Sequence, residues 1–214
     1  LPVVVAGGGG GPQLAENVKK HAEVIKVGEG MGEGVEMGPV ISAKAKDRIV
    51  GLIDDAEKRG SKVVLDGRGL TVPGYENGHF LGPTVLDDVP LDAPVYTEEV
   101  FGPLLAIVHA DTYEEALKIV NAQPFGNGSA IFTNDGGVAR RFTLDVEAGM
   151  VDVNVPIPTP VAFYSFGGWK ESLLGDTHIH GPEGVTFYTR AKAITERWPT
   201  EKTYAATMSF QREE

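Results

Sequence analysis

The sequence contains no cysteine. This absence excludes disulfide bonds, thiolate-bound zinc, iron–sulfur clusters and any cysteine nucleophile within these residues. Basic side chains are also scarce, since 19 Lys and Arg stand against 30 Asp and Glu, for a net charge of −11. Nucleic-acid binding depends on clustered basic side chains, so nucleic acid is a poor candidate partner.

Long apolar runs are missing as well. No run approaches the roughly 18 residues needed to cross a bilayer. The opening residues, LPVVVAGGGGG, lack the basic region and cleavage site of a signal peptide. We therefore expect a soluble, cytoplasmic protein without a membrane partner.

The composition that remains is that of a globular protein. Hydrophobic residues make up 42% and charged residues 23% of the 214 positions. A chain of this length buries roughly 70% of its unfolded surface on folding, which is enough for one large domain or two small ones.

Helical and strand-like patterns alternate along the chain. Helices are predicted after Pro12, between a Ser42 cap and Gly60, after a capping box formed by Asp111 and Glu114, and over 136–146. Strands are predicted over 62–66, 80–86, 104–110, 129–133, 150–155 and 186–195. Pro83 further predicts a sheet edge or a bulge. The alternation predicts an α/β fold with a largely parallel sheet.

An acidic turn, TEEVFGP, precedes the strand predicted over 104–110. The strand ends of α/β sheets are where ligands tend to bind. A carboxylate of Glu98 or Glu99 can accept two hydrogen bonds from a ribose diol, and the ring of Phe101 can pack on a planar heterocycle. The alternative is a solvated turn with Phe101 in the core, and from the residues alone this is the commoner case.

Other candidate groups are weaker. His178 and His180 would share one face of a strand, but no third metal ligand lies nearby in the sequence, so no metal site is predicted. Asp87 and Asp88 are adjacent, so on a strand they would point to opposite faces and form no acid/base pair. Lys170 could form a Schiff base only in a desolvated pocket.

Several long segments together resemble a known family. They are GHFLGPTVLDDV, EEVFGPLLAIV, FGNGSAIFT, AGMVDVNVPIP, NVPIPTPVAFYSFGGWKESLLGD and HIHGPEGVTFYTRAKAITERW. In this order and spacing, residues 1–199 resemble the carboxy-terminal part of NAD(P)-dependent aldehyde dehydrogenases. The likeness is strongest to the CoA-acylating branch that acts on methylmalonate and malonate semialdehyde.

The resemblance implies a fold and a set of roles. The fold is a three-layer α/β/α catalytic domain with a largely parallel sheet, formed in part by residues 1–176. Residues 177–214 would follow as a return segment with a carboxy-terminal strand for oligomerisation and a tail. Glu99 would hold the nicotinamide ribose of NAD, Phe101 would pack near the nicotinamide, and Phe166 would border the aldehyde pocket. The strand segment implies a dimer or tetramer.

The resemblance also implies groups outside these residues. In this branch the nucleophilic cysteine is followed after two residues by LPVVVA, with which the sequence starts, so that cysteine is expected upstream of Leu1. The coenzyme-binding domain is expected upstream too. The whole enzyme would oxidise a semialdehyde to an acyl-CoA with NAD, and this chain is expected to be inactive alone or in need of the rest of the enzyme. The alternative is a non-catalytic module for interaction or assembly, pairing with a full-length subunit or with itself.

Overall fold

A computed structural model describes residues 3–157, 160–196 and 198. The helices are α1 (Gly11–Ala22), α2 (Ala43–Lys58), α3 (Pro94–Thr97), α4 (Tyr113–Asn121), α5 (Gly136–Asp145) and α6 (Gly181–Tyr188). The strands are β1 (Val3–Gly7), β2 (Lys62–Leu65), β3 (Thr84–Asp87), β4 (Leu104–Ala110), β5 (Phe125–Gly126), β6 (Gly128–Ile131), β7 (Met150–Val153) and β8 (Trp169–Lys170).

The main sheet has the strand order β1-β4-β3-β2. Strand β4 pairs in parallel with both β1 and β3, whereas β2 runs antiparallel to β3. Strands β1 and β4 align with Val3 opposite Ala106, so the amino ends of the parallel strands lie at one edge of the sheet. The predicted α/β fold with a largely parallel sheet is confirmed.

Helices cover both faces of this sheet. Alternate residues of the central strands point to opposite faces. On one face, Val85 and Ile107 pack with Ala15 of α1. On the other face, Leu86 and Ala106 pack in one cluster with residues of α2 and α4. The result is the expected three-layer α/β/α arrangement.

Two smaller sheets follow the main one. Strand β5 pairs with β8 in antiparallel orientation, and β6 pairs with β7 in parallel. A third apolar cluster, centred on Phe142 of α5, joins this region to α4.

Most of the predicted helix ends are confirmed. The Ser42 hydroxyl accepts a hydrogen bond from the Ala45 amide, and Gly60, with φ of 103°, follows the end of α2. The capping box is displaced by one residue, because Thr112 is the N-cap of α4 and its hydroxyl accepts from the Glu115 amide.

Pro83 lies at neither a sheet edge nor a bulge on its own strand. It directly precedes β3, which is an internal strand, so its missing N–H removes no hydrogen bond from the ladder.

The strand predicted over 186–195 is wrong for residues 186–188, which belong to helix α6. Helix α6 includes residues 186–188, and residues 189–196 form no strand. Pro182 and Glu183 occupy the first turn of α6, where a fixed φ and a negative charge favour a helix. Residues 189–196 pair with no described strand of this chain. Within the described residues, each helix is too short or too polar to span a lipid bilayer.

Candidate functional site

The acidic turn lies between α3 and β4, at the amino ends of the parallel strands and not at the carboxyl ends, where ligands of such sheets most often bind. Side chains alternate along it, since Glu99 is exposed, Val100 is 1% exposed and Phe101 is 81% exposed. The buried Val100 therefore anchors the turn in the core while its two neighbours face outward. This excludes the alternative in which Phe101 belongs to the core.

Phe101 also has an unusual backbone. Its φ of 53° is in the left-handed region, which residues with a Cβ rarely adopt. Such a conformation costs about 1–3 kcal/mol and persists only where the surrounding structure enforces it, which occurs most often at functional sites. An exposed aromatic ring on a strained backbone makes Phe101 a candidate for a functional role.

A cavity of about 370 Å³ adjoins the turn. Its lining residues are Glu99, Phe125, Asn127, Glu171 and Ser172. Phe125 and Asn127 also line a second cavity of about 150 Å³ that reaches β1. The residues beyond Glu99 were not singled out from the sequence, because they come from β5, from the residue that follows β5 and from the segment after β8, which only the fold brings to the turn.

The chemistry of this cavity is that of binding. Carboxylates of Glu99 and Glu171 can accept hydrogen bonds from hydroxyl groups, and at this place they favour a neutral or cationic part of a ligand over an anionic part. The Ser172 hydroxyl accepts a hydrogen bond from the Gly126 amide at 3.2 Å, which ties it to β5.

Phe166 lies apart from this cavity. Its ring is half-buried and stacks on His180, with ring centroids 4.5 Å apart and an interplanar angle of 6°. It is not among the residues that line the cavity beside Glu99.

The two histidines do not form a joint site. The backbone amide of His178 donates to Glu183 at 3.0 Å, whereas His180 precedes α6 and stacks on Phe166. In the described part of the chain, the residues that could together hold a metal ion are Asp87, Asp88 and His109.

Asp87 and Asp88 both reach His109, contrary to the argument from their adjacency. Their carboxylates lie 2.6 and 3.3 Å from its Nε2 atom. Asp88 can turn back because it follows the strand with φ of 53°. A hydrogen bond from Lys62, 2.6 Å away, lowers the pKa of Asp88. These groups thus form a charge network among β2, β3 and β4, and carboxylate clusters of this kind need no metal.

Lys170 is a structural residue. Its ammonium group donates to the carbonyl oxygens of Asn121 and Gln123 at 2.6 and 3.1 Å, and it pairs with Glu147 at 2.8 Å. With its donors satisfied in this way, it is poorly suited to form a Schiff base.

Residues 10–194 match the family model described as "Aldehyde dehydrogenase family". This match covers well over half of the chain, and the chain belongs to the aldehyde dehydrogenase family. Among its relatives, the malonate-semialdehyde dehydrogenase of Pseudomonas aeruginosa is 49% identical over 193 residues, which are 90% of this chain and 39% of that protein. A mitochondrial acylating methylmalonate-semialdehyde/malonate-semialdehyde dehydrogenase of Bos taurus is 46% identical over 89% of this chain and 35% of its own length.

Solved structures agree with these relatives. A crystal structure described as a methylmalonate-semialdehyde dehydrogenase from Sinorhizobium meliloti, complexed with NAD, has a TM-score of 0.90 and 45% identity. The match covers 94% of this chain and 41% of that one. The chain thus spans about two fifths or less of the length of the relatives it matches.

Proposed function

We propose that this chain is the part of an aldehyde dehydrogenase catalytic domain that holds the nicotinamide ribose of NAD. Glu99 accepts hydrogen bonds from the ribose hydroxyls, and Phe101 packs near the nicotinamide ring. The observation that carries this proposal is the exposed ring of Phe101 on a left-handed backbone, two residues after Glu99. The acidic cavity supports it, because the oxidised nicotinamide ring is cationic.

The names of the relatives supply the reaction class. We propose that the complete enzyme oxidises malonate or methylmalonate semialdehyde to an acyl-CoA. When bound, NAD accepts the hydride and CoA accepts the acyl group. The 214 residues contain no thiol, so their own contribution is to bind and orient, and we expect no semialdehyde oxidation by this polypeptide alone.

Further assignments rest on the same resemblance. Phe166, held by its stack on His180, borders the aldehyde pocket. Residues 1–176 form the catalytic-domain portion, and residues 177–214 form the return segment, most of whose tail lies outside the described residues. The cytoplasmic location stays a prediction, since the Bos taurus relative is mitochondrial by name.

The ribose contact can be tested with nicotinamide mononucleotide, which carries the ring and ribose but not the adenine half. Saturation-transfer NMR should show binding to the chain, and Glu99→Gln should weaken it about tenfold, because a charged acceptor makes the stronger hydrogen bond. Glu98→Gln removes the same charge one residue away and should bind as the wild type does. Equal binding by Glu99→Gln and the wild type would contradict the proposal.

A second function, assembly, is favoured by the apolar side chains exposed near the carboxy-terminal end of the described chain. Phe163, Leu174, Phe187, Tyr188 and Trp198 are each 59–97% exposed. Where exposed apolar side chains adjoin one another, they are typical of a surface that another protein covers. We propose that this surface associates with a second copy, in a dimer or tetramer, or with the rest of the enzyme.

A further inference from the structure

Helix α2 contacts the acidic turn through two consecutive residues. The Arg48 guanidinium donates a hydrogen bond to the carbonyl oxygen of Val100. Ile49 is completely buried, and its side chain occupies the space that a Cβ on Gly102 would need. The helix therefore holds the turn on both sides of Phe101.

The Val100 carbonyl belongs to the peptide unit that joins Val100 to Phe101. The orientation of this peptide plane depends on ψ of Val100 and φ of Phe101. A donor that fixes the carbonyl thus also restrains φ of Phe101, which is 53°. The side chain of Val100 is fixed separately by its burial in the core.

The hydrogen bond from Arg48 to the Val100 carbonyl is not a by-product of a salt bridge made by Arg48. Among the described residues, Arg48 has no carboxylate partner within 4 Å, although the chain carries an excess of acidic groups. A guanidinium that donates to a backbone carbonyl makes a charge-assisted bond, which is stronger than a neutral one.

We propose that Arg48 is a positioning residue, which holds the turn of residues 98–102 in the conformation that presents Glu99 and Phe101 to the nicotinamide ribose. The identity of the ligand rests on the proposed function, whereas the restraint of the turn by Arg48 does not. Arg48 acts through the backbone of Val100 and needs no contact with the coenzyme.

The test uses the whole chain and three variants. Arg48→Met removes the donors and keeps most of the apolar stem, Arg48→Lys keeps a donor, and Lys44→Met removes a charge elsewhere on α2. Amide hydrogen exchange by mass spectrometry measures the mobility of residues 98–103, and saturation-transfer NMR measures binding of nicotinamide mononucleotide. Thermal unfolding measures global stability.

In Arg48→Met we expect about tenfold faster exchange confined to the turn and about tenfold weaker binding, with a melting temperature within about 3 °C of the wild type. Arg48→Lys should keep most of the slow exchange of the turn and most of the binding, and Lys44→Met should match the wild type in both. Wild-type exchange of the turn in Arg48→Met would overturn the proposal, as would faster exchange throughout the chain or the same losses in Lys44→Met. If the wild type itself binds no mononucleotide, the ribose contact fails, and the exchange data alone decide the role of Arg48.

Discussion

Phe101 combines two features that stability alone would not select, a left-handed backbone and a ring that is 81% exposed. Because the ring makes little contact with the core, burial does not offset the strain. Glycine adopts this backbone without steric cost.

We therefore predict that Phe101→Gly leaves the free energy of unfolding unchanged or raises it by up to about 1 kcal/mol. Relief of about 1–2 kcal/mol of strain is partly offset by the greater freedom of glycine in the unfolded chain. Binding of nicotinamide mononucleotide should fall in the same variant. Urea unfolding gives the stability, and Phe142→Ala, at a buried core position, should instead lose about 3–5 kcal/mol. A clear loss of stability in Phe101→Gly would show that the ring serves packing.

The Asp88 carboxylate predicts a dependence on pH. A hydrogen bond from Lys62 holds its pKa below the usual value of 3.8, so its stabilising effect is complete above about pH 4 and is lost as the pH falls through the lowered pKa. Asp88→Asn should therefore be less stable than the wild type near neutral pH and should approach it as the pH falls through the lowered pKa. Asparagine suits the left-handed backbone at this position, where φ is 53°.

Urea unfolding over a series of pH values measures this effect. Asp47→Asn, on the exposed surface of α2, is the matched control and should show no such convergence. A deficit of Asp88→Asn that stays constant with pH would mean that the Lys62 bond is not its cause.

At the scale of elements, the contact between α2 and the acidic turn requires a glycine. A Cβ on Gly102 would overlap the side chain of Ile49. Gly102→Ala should therefore lose about 1–3 kcal/mol of stability, since the buried neighbour must shift.

Gly51, within α2, provides the comparison. It is exposed, and a Cβ there would meet no atom within 4 Å. Gly51→Ala should gain about 0.5–1 kcal/mol, because alanine is the better helix former. Equal effects of the two substitutions in urea unfolding would argue against a tight contact between α2 and the turn.

Elements with strong local signals could be predicted from the sequence. The apolar run of residues 104–110 predicts strand β4, and the Ser42 cap and Gly60 predict the two ends of α2. The structure of residues 186–188 could not be predicted in this way. Apolar and polar residues alternate over 186–195, as in a strand, but Pro182 and Glu183 start a helix that includes residues 186–188.

The site could be predicted only in part. The motif indicated Glu99 and Phe101, but the residues alone did not show whether Phe101 was buried, since that depends on the backbone strain that α2 enforces. Asn127 and Glu171 lie far from the turn in sequence, and only the fold brings them to the cavity.

At the scale of the whole molecule, the exposed apolar side chains predict self-association. Sedimentation velocity should show dimers or larger species that increase with concentration, because burial of these side chains is favourable. Phe187→Asp should shift the distribution toward monomer, whereas Met31→Asp, at a still more exposed site in another region, should not. A monomer at all concentrations would contradict association with a second copy, and only association with the rest of the enzyme would then be left of the assembly proposal.

The central claim, that this chain supplies a working portion of a semialdehyde dehydrogenase, is tested most directly in a chimera. Residues of this chain replace the matched 39% of the Pseudomonas aeruginosa malonate-semialdehyde dehydrogenase, which is 49% identical over the exchanged segment. NADH formation from malonate semialdehyde, NAD and CoA is then measured for the chimera and for its Glu99→Gln and Glu98→Gln variants. We predict activity within about tenfold of the natural enzyme, lowered at least about tenfold by Glu99→Gln and little changed by Glu98→Gln. A folded chimera that forms no NADH, or one indifferent to Glu99→Gln, would contradict the claim.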